Sequence, residues 1–170
     1  MRSVARILIV AGGCRGRRLG GRLVGEGHSV RITTRSEAGR DAIEAAGAEC
    51  WIGTPDRLAT LRGALENVTI LCWLLGSAVG SPQELRALHT TRLEFFLTQA
   101  IDTTVRGFVY EAAGTSTPAE VLAEGGARAR VLLERNAIPA EFLTADSEDL
   151  EAWLAVGQAA IDSLLTGRGS

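Results

Sequence analysis

The chain predicts an α/β fold built on a doubly wound parallel sheet, and three observations carry that reading. Short apolar runs alternate with longer amphipathic segments along the whole length. The first run, Ile7-Leu8-Ile9-Val10, passes directly into a glycine-rich turn and then a helical pattern. Residues 68–75 are almost continuously apolar, as expected of a strand covered on both faces. Six strands joined by right-handed crossovers lead to the order 3-2-1-4-5-6, with helices on both faces.

Each element has its own local warrant. Strand one, 7–10, opens through residues 11–16 into a helix with Leu19 and Leu23 on one face, Gly20 placed for close packing and Gly27-His28 as the stop. Strand two covers 29–34, after which Ser36 can cap a helix ending at Gly47. Strand three, 49–53, precedes Thr54-Pro55-Asp56, which reads as cap, first-turn proline and early negative charge for a helix burying Leu58, Leu61 and Leu65. Strand four is 68–75. Ser81-Pro82-Gln83-Glu84 and Thr117-Pro118-Ala119-Glu120 read as capping boxes on either side of strand five, 107–110. A short strand at 141–143 precedes a last amphipathic helix burying Leu150, Trp153, Leu154, Ile161 and Leu165. No internal repeat, low-complexity tract or linker divides the 170 residues, so one domain over 1–170 with no separate substrate domain is expected.

Composition narrows the function classes. A net charge of −2 and a pI near 5.7 offer no general attraction for nucleic acid or a membrane surface. No apolar run is long enough to span a bilayer and the first residues lack a signal-peptide core, so a cytoplasmic location is expected. Cys14, Cys50 and Cys72 are odd in number and form no C-x-x-C pair, which points to neither disulfide nor zinc. His28 and His89 fall on different elements, and no metal is expected. There is no G-x-x-x-x-G-K-[ST] phosphate loop and no G-x-S-x-G elbow.

The turn after strand one carries the positive signal. A pyrophosphate requires a strand that stops abruptly, glycines that let the backbone approach, and a helix N-terminus presenting free N–H groups. Ala11, Gly12, Gly13, Cys14, Arg15 and Gly16 supply that layout, with Gly13 and Gly16 at the second and third glycine positions of G-x-G-x-x-G and Ala11 at the first. The crevice of such a sheet lies across the ends of strands one and four, which adds Leu75 and Gly76. The carboxylate that commonly meets the ribose hydroxyls of NAD is absent after strand two. Thr33, Thr34, Arg35 and Ser36 stand there instead, and Arg35 has the charge and planar donors for a 2′-phosphate. NADP is therefore the expected cofactor, with NAD a poorer fit.

From Val4 to about Ala145 the chain resembles the atypical and extended short-chain dehydrogenase/reductases, including NmrA-like and epimerase-like members with a Rossmann NAD(P)-binding fold. The marks are the glycine turn, Gly27-His28-Ser29-Val30-Arg31, Gly53-Thr54-Pro55-Asp56 and Gly107-Phe108-Val109-Tyr110. The resemblance implies a contact from Asp56 to adenine, beside its alternative role at a helix N-terminus, and a homodimer paired through the helices that begin near Ser81 and Thr117. It also implies a serine after strand five and a Tyr-x-x-x-Lys pair for proton transfer. Here Ala112-Ala113 replaces the hydroxyl step, Tyr110 is the only tyrosine, and the chain contains no lysine. Two functions follow as expectations: an NADPH-dependent reductase of atypical chemistry acting on a small molecule, or a non-catalytic protein that senses NADP or docks on a partner.

Overall fold

The computed structural model describes residues 4–11 and 13–167. Six strands, β1 (Arg6–Val10), β2 (Ser29–Thr34), β3 (Glu49–Ile52), β4 (Ile70–Trp73), β5 (Gly107–Glu111) and β6 (Ala140–Leu143), form one parallel sheet in the order β3-β2-β1-β4-β5-β6. Among the described residues six α-helices accompany them: α1 (Cys14–Gly25), α2 (Arg40–Ala45), α3 (Pro82–His89), α4 (Thr91–Ile101), α5 (Ala119–Arg135) and α6 (Leu150–Thr166). The predicted strand order is the observed one. The order reverses between β1 and β4, so the crevice for a ligand opens at the carboxyl ends of those two strands.

Period-two alternation divides the core into two layers. Leu8, Val10, Leu71, Trp73, Phe108 and Tyr110 point to one face and pack against Leu93, Phe96 and Leu97 of α4 and Ala129 and Leu133 of α5. Ile7, Ile9, Ile70, Cys72 and Val109 point to the other, where Leu19 and Leu23 of α1 meet Trp153, Leu154 and Ile161 of α6. Two glycines bring α1 close: a Cβ on Gly20 would lie 2.6 Å from Ile32 Cδ1, and one on Gly157 of α6 would lie 3.1 Å from Leu19 Cδ1. This packing holds the N-terminus of α1 and the first turns of α6 at the same end of the sheet.

Three expected helix starts differ. After β2 a 3₁₀ turn, Glu37–Gly39, precedes α2, and Ser36 makes no cap bond. After β3 the chain forms 3₁₀ turns, Leu58–Thr60 and Arg62–Leu65, in place of an α-helix. Local side-chain bonds explain it. Thr54 Oγ1 accepts from the Asp56 N–H at 3.2 Å, Thr60 Oγ1 donates to the Arg57 carbonyl at 2.6 Å, and Trp51 Nε1–H donates to the Thr60 carbonyl at 2.7 Å; these compete with helical backbone pairing. Leu61 and Leu65 still reach the core. Helix α5 begins one residue later than its capping box suggests, with Pro118 as the N-cap, because Thr117 is drawn into the interior and its N–H meets the Gly76 carbonyl at 3.4 Å. At α3 the capping box forms as expected, Ser81 Oγ accepting from the Glu84 N–H at 3.1 Å.

Candidate functional site

Two clefts meet at the carboxyl ends of β1 and β4. The first, of about 400 Å³, is lined by Ala11, Gly13 to Gly16, Leu74, Leu75, Ser77, Ala78, Thr115 and Trp153. The second, of about 290 Å³, runs toward β2 and β3 along Thr33, Thr34, Arg35, Gly53 and Pro55. Ala11, Gly13, Leu75 and Ala78 line both, so the two form a single trough around the start of α1.

The turn has the properties an anion requires. Gly13 is the N-cap of α1, and its carbonyl accepts from the Arg17 N–H at 3.0 Å. The N–H groups of Cys14, Arg15 and Gly16 precede Arg17, the first intrahelical donor, so they have no partner within the helix and face the trough with the positive end of the dipole. A Cβ on Gly13 would meet nothing within 4 Å, so the space above this backbone is open. Gly16 is different: a Cβ there would lie 2.6 Å from the Ala11 carbonyl oxygen. Gly16 therefore keeps strand and helix close, while Gly13 keeps the trough clear.

Beneath the first cleft lies a buried polar group. Glu111, 1% exposed, accepts from the Gly76 N–H at 2.7 Å and from Trp153 Nε1–H at 2.9 Å. Burial pushes its carboxyl above the usual range, against the pull of these two donors and of the Arg15 charge. The Arg15 guanidinium lies 5.6 Å from the centre of a Trp153 ring, and its Nε is buried without a hydrogen-bond partner. Gly76 itself is buried and does not line the trough. A Cβ there would run into the Ala113 carbonyl, and one on Gly114 would run into Gly76. The glycines after β4 and β5 thus allow two backbones to cross.

At the far end of the second cleft, Arg35 is ion-paired to Asp56, whose other carboxylate oxygen is bonded by Arg92 of α4 at 2.9 Å. Partial burial raises the Asp56 pKa, but the bonds and charges of the two arginines outweigh it and hold the carboxyl below its ordinary range. Asp56 sits in the turn between Thr54 and Arg57, ahead of 3₁₀ turns, so it does not begin an α-helix. Ser36 is exposed and makes no cap bond.

Tyr110 is on the opposite side of the sheet from Glu111 and wholly buried. His89 Nε2 bonds the Leu75 carbonyl at 3.1 Å, and a carbonyl can only accept, so Nε2 carries the proton; Nδ1, 2.9 Å from the Tyr110 hydroxyl, then accepts from it. Burial pushes the Tyr110 hydroxyl pKa up and pulls the His89 pKa down to about 4, the latter against the Leu75 bond. This pair joins β5, α3 and the loop after β4 as a structural tie. Because the folded imidazole resists protonation while an unfolded one does not, His89 contributes stability that is fully present above pH 6.5 and is lost as pH falls toward 4, amounting to about 3 kcal/mol. Urea unfolding between pH 7 and 5 is expected to show a slope that flattens in His89→Leu. Equal slopes for the two proteins would contradict the assignment.

No protein-family model matches this chain, and no curated protein matches its sequence. Solved structures match its fold. BdcA from E. coli has a TM-score of 0.73 at 12% identity, over 95% of this chain and 93% of that one. Vestitone reductase from alfalfa has a TM-score of 0.61 at 13% identity, over 81% of this chain and 55% of that one. AtPrR2, solved with NADP+ and (+)-pinoresinol, has a TM-score of 0.57 at 19% identity, over 84% of this chain and 50% of that one. The fold is Rossmann-like. The chain spans about half the length of the latter two proteins.

Against that fold, the sequence-predicted residues sort plainly. Ala11, Gly13, Cys14, Arg15, Gly16, Thr34, Arg35 and Leu75 line the trough. Gly12 lies outside the described residues. Asp56 joins the site through Arg35, whereas Ser36 and Gly76 are not part of its wall. Sequence reasoning missed Glu111 and Trp153 as site residues. Alternation along β5 places residue 111 opposite Tyr110, a signal present in the sequence, but the pairing with α6 was not. Among the described residues, Glu26, His28 and Asp162 bring candidate ligand atoms within 4.8 Å of one another. His28 Nδ1 accepts from the Ala5 N–H at 3.1 Å, which leaves the proton on Nε2 and removes the lone pair a metal would use.

Proposed function

We propose that this chain binds a nicotinamide dinucleotide in the trough, NADP(H) in preference to NAD(H), and is an oxidoreductase-like protein without serine and Tyr-x-x-x-Lys proton transfer. The carrying observation is the continuity of the two clefts around Gly13, which leaves open space beside the α1 N-terminus with an arginine at either end. The α1 N–H groups and Arg15 would hold the pyrophosphate, and Thr34 and Arg35 the adenosine end. When bound, such a cofactor supplies hydride chemistry. AtPrR2, a fold neighbour, was solved with NADP+.

The chain's own residues orient and bind; Ala112 and Ala113 stand where the hydroxyl step after β5 would be, and the hydroxyls that line the first cleft are those of Ser77 and Thr115. Tyr110 is committed to His89 on the far face of the sheet. That arrangement favours, as the second reading, a non-catalytic protein that senses NADP or docks on a partner. Either reading accommodates a homodimer through α3 and α5, the helices that begin near Ser81 and Thr117, the second of which exposes Val131. Calorimetric titration with NADPH and NADH tests the cofactor. NADPH is expected to bind more tightly, and Arg35→Ala to reduce that preference by about tenfold through loss of one charge-assisted contact. Equal affinities in the unmodified protein would sink the NADP assignment.

A further inference from the structure

We propose that Asp56 is a built-in counter-anion occupying a two-arginine phosphate receptor, and that Arg92 is the second arm of that receptor. This assignment rests on the dinucleotide reading above and concerns what sets cofactor choice. Three separate segments meet here, two of them converging on the carboxylate of the third. Arg35 comes from the loop after β2, Asp56 from the loop after β3, and Arg92 from the first turn of α4. Asp56 divides its oxygens, Oδ2 to Arg35 and Oδ1 to Arg92, so each guanidinium meets a different oxygen of one small anion. The Asp56 N–H is itself held by Thr54 Oγ1 at 3.2 Å, which keeps the carboxylate at the mouth of the second cleft.

A phosphate monoester fits the same receptor better than a carboxylate. Its oxygens are spaced only slightly wider, and it carries about −1.5 to −2 charges near neutral pH. Arriving at Arg35 and Arg92, it would displace Asp56 and leave that carboxylate as a repulsive neighbour. A ribose with a free 2′-hydroxyl has the opposite relation, since it has no charge with which to displace the carboxylate and can donate a hydrogen bond to it. Asp56 therefore narrows the preference for a 2′-phosphate that the two arginines create. Arg92 is the less exposed arm: its side chain is 32% exposed, against 69% for Arg35.

The experiment measures NADP+, NAD+ and adenosine 2′-monophosphate binding by calorimetry to the unmodified chain and to Asp56→Asn, Arg92→Gln and Arg35→Ala, with thermal melts as folding controls. Asp56→Asn is expected to tighten NADP+ and adenosine 2′-monophosphate by about three- to fivefold, the range of an exposed ion pair, without tightening NAD+. Arg92→Gln is expected to weaken both phosphate ligands by about three- to tenfold while leaving NAD+ unchanged. Added salt should shrink both effects. If Asp56→Asn weakens NADP+ and NAD+ alike, Asp56 is an adenine contact and the inference fails. It also fails, alone, if Arg35→Ala lowers NADP+ affinity while Asp56→Asn and Arg92→Gln change nothing. A chain that binds none of the three ligands overturns both this inference and the dinucleotide reading.

Discussion

Gly13→Val is expected to abolish dinucleotide binding, a loss of at least about a hundredfold in affinity, while the domain stays folded. The two halves of that result have separate causes. The Gly13 backbone, with φ −76° and ψ 171°, is one that any residue adopts, and a Cβ there meets nothing within 4 Å. The change in stability should therefore remain within about 1 kcal/mol, mostly from a poorer N-cap. The added methyls, however, would fill the space through which an anion reaches the α1 N–H groups. Fluorescence titration with NADPH, run beside a thermal melt, reads both quantities. Normal NADPH binding by Gly13→Val would show that the turn is not the phosphate cradle.

The largest effect on stability is expected at Trp153. Trp153→Ala removes a side chain that is 1% exposed and should cost about 3–5 kcal/mol. It also strips Glu111 of a donor and Arg15 of its aromatic support. Trp153→Phe separates the contributions, because it keeps an aromatic ring beneath Arg15 but loses the Nε1–H; leaving a buried acceptor short of a partner should cost about 1–3 kcal/mol. The pH dependence gives an independent check. A buried carboxyl with a raised folded pKa favours the folded state at low pH, and that contribution is lost as pH rises from the ordinary carboxylate range through the raised value. In Trp153→Phe a group favouring the charged form is gone, so the decline should continue to higher pH. Urea unfolding across pH 4 to 8 measures it, and identical curves for Trp153→Phe and the unmodified protein would remove Glu111 from the account.

Much of this architecture was legible in the chain because it is recorded locally. The run from Ile7 to Val10, the apolar stretch ending in β4 and the glycine turn between β1 and α1 each depend on neighbours in sequence, and alternation with helices leaves few topologies once crossovers are right-handed. Gly13, Arg15 and Arg35 could be placed at the trough for the same reason: each occupies a set position relative to a strand end. The misreadings also have local causes, as at Thr54-Pro55-Asp56, where a helix signal lost to side-chain bonds made by Thr54, Thr60 and Trp51.

What the sequence determined by itself was thus the order of strands, the crevice they create and the glycine turn between β1 and α1. Tertiary structure alone decided which distant side chains pair. Trp153 reaches Glu111 across 42 positions, Arg92 reaches Asp56 across 36, and His89 reaches Tyr110 across 21. Hydropathy marks Trp153 only as buried, and charge marks Arg92 only as a helix-surface residue. Their partners follow from where α6, α3 and α4 pack on the sheet. The physical reason is that periodicity is a property of one segment, whereas the partner of a buried or bridging polar group is set by the register between segments, which no single segment encodes.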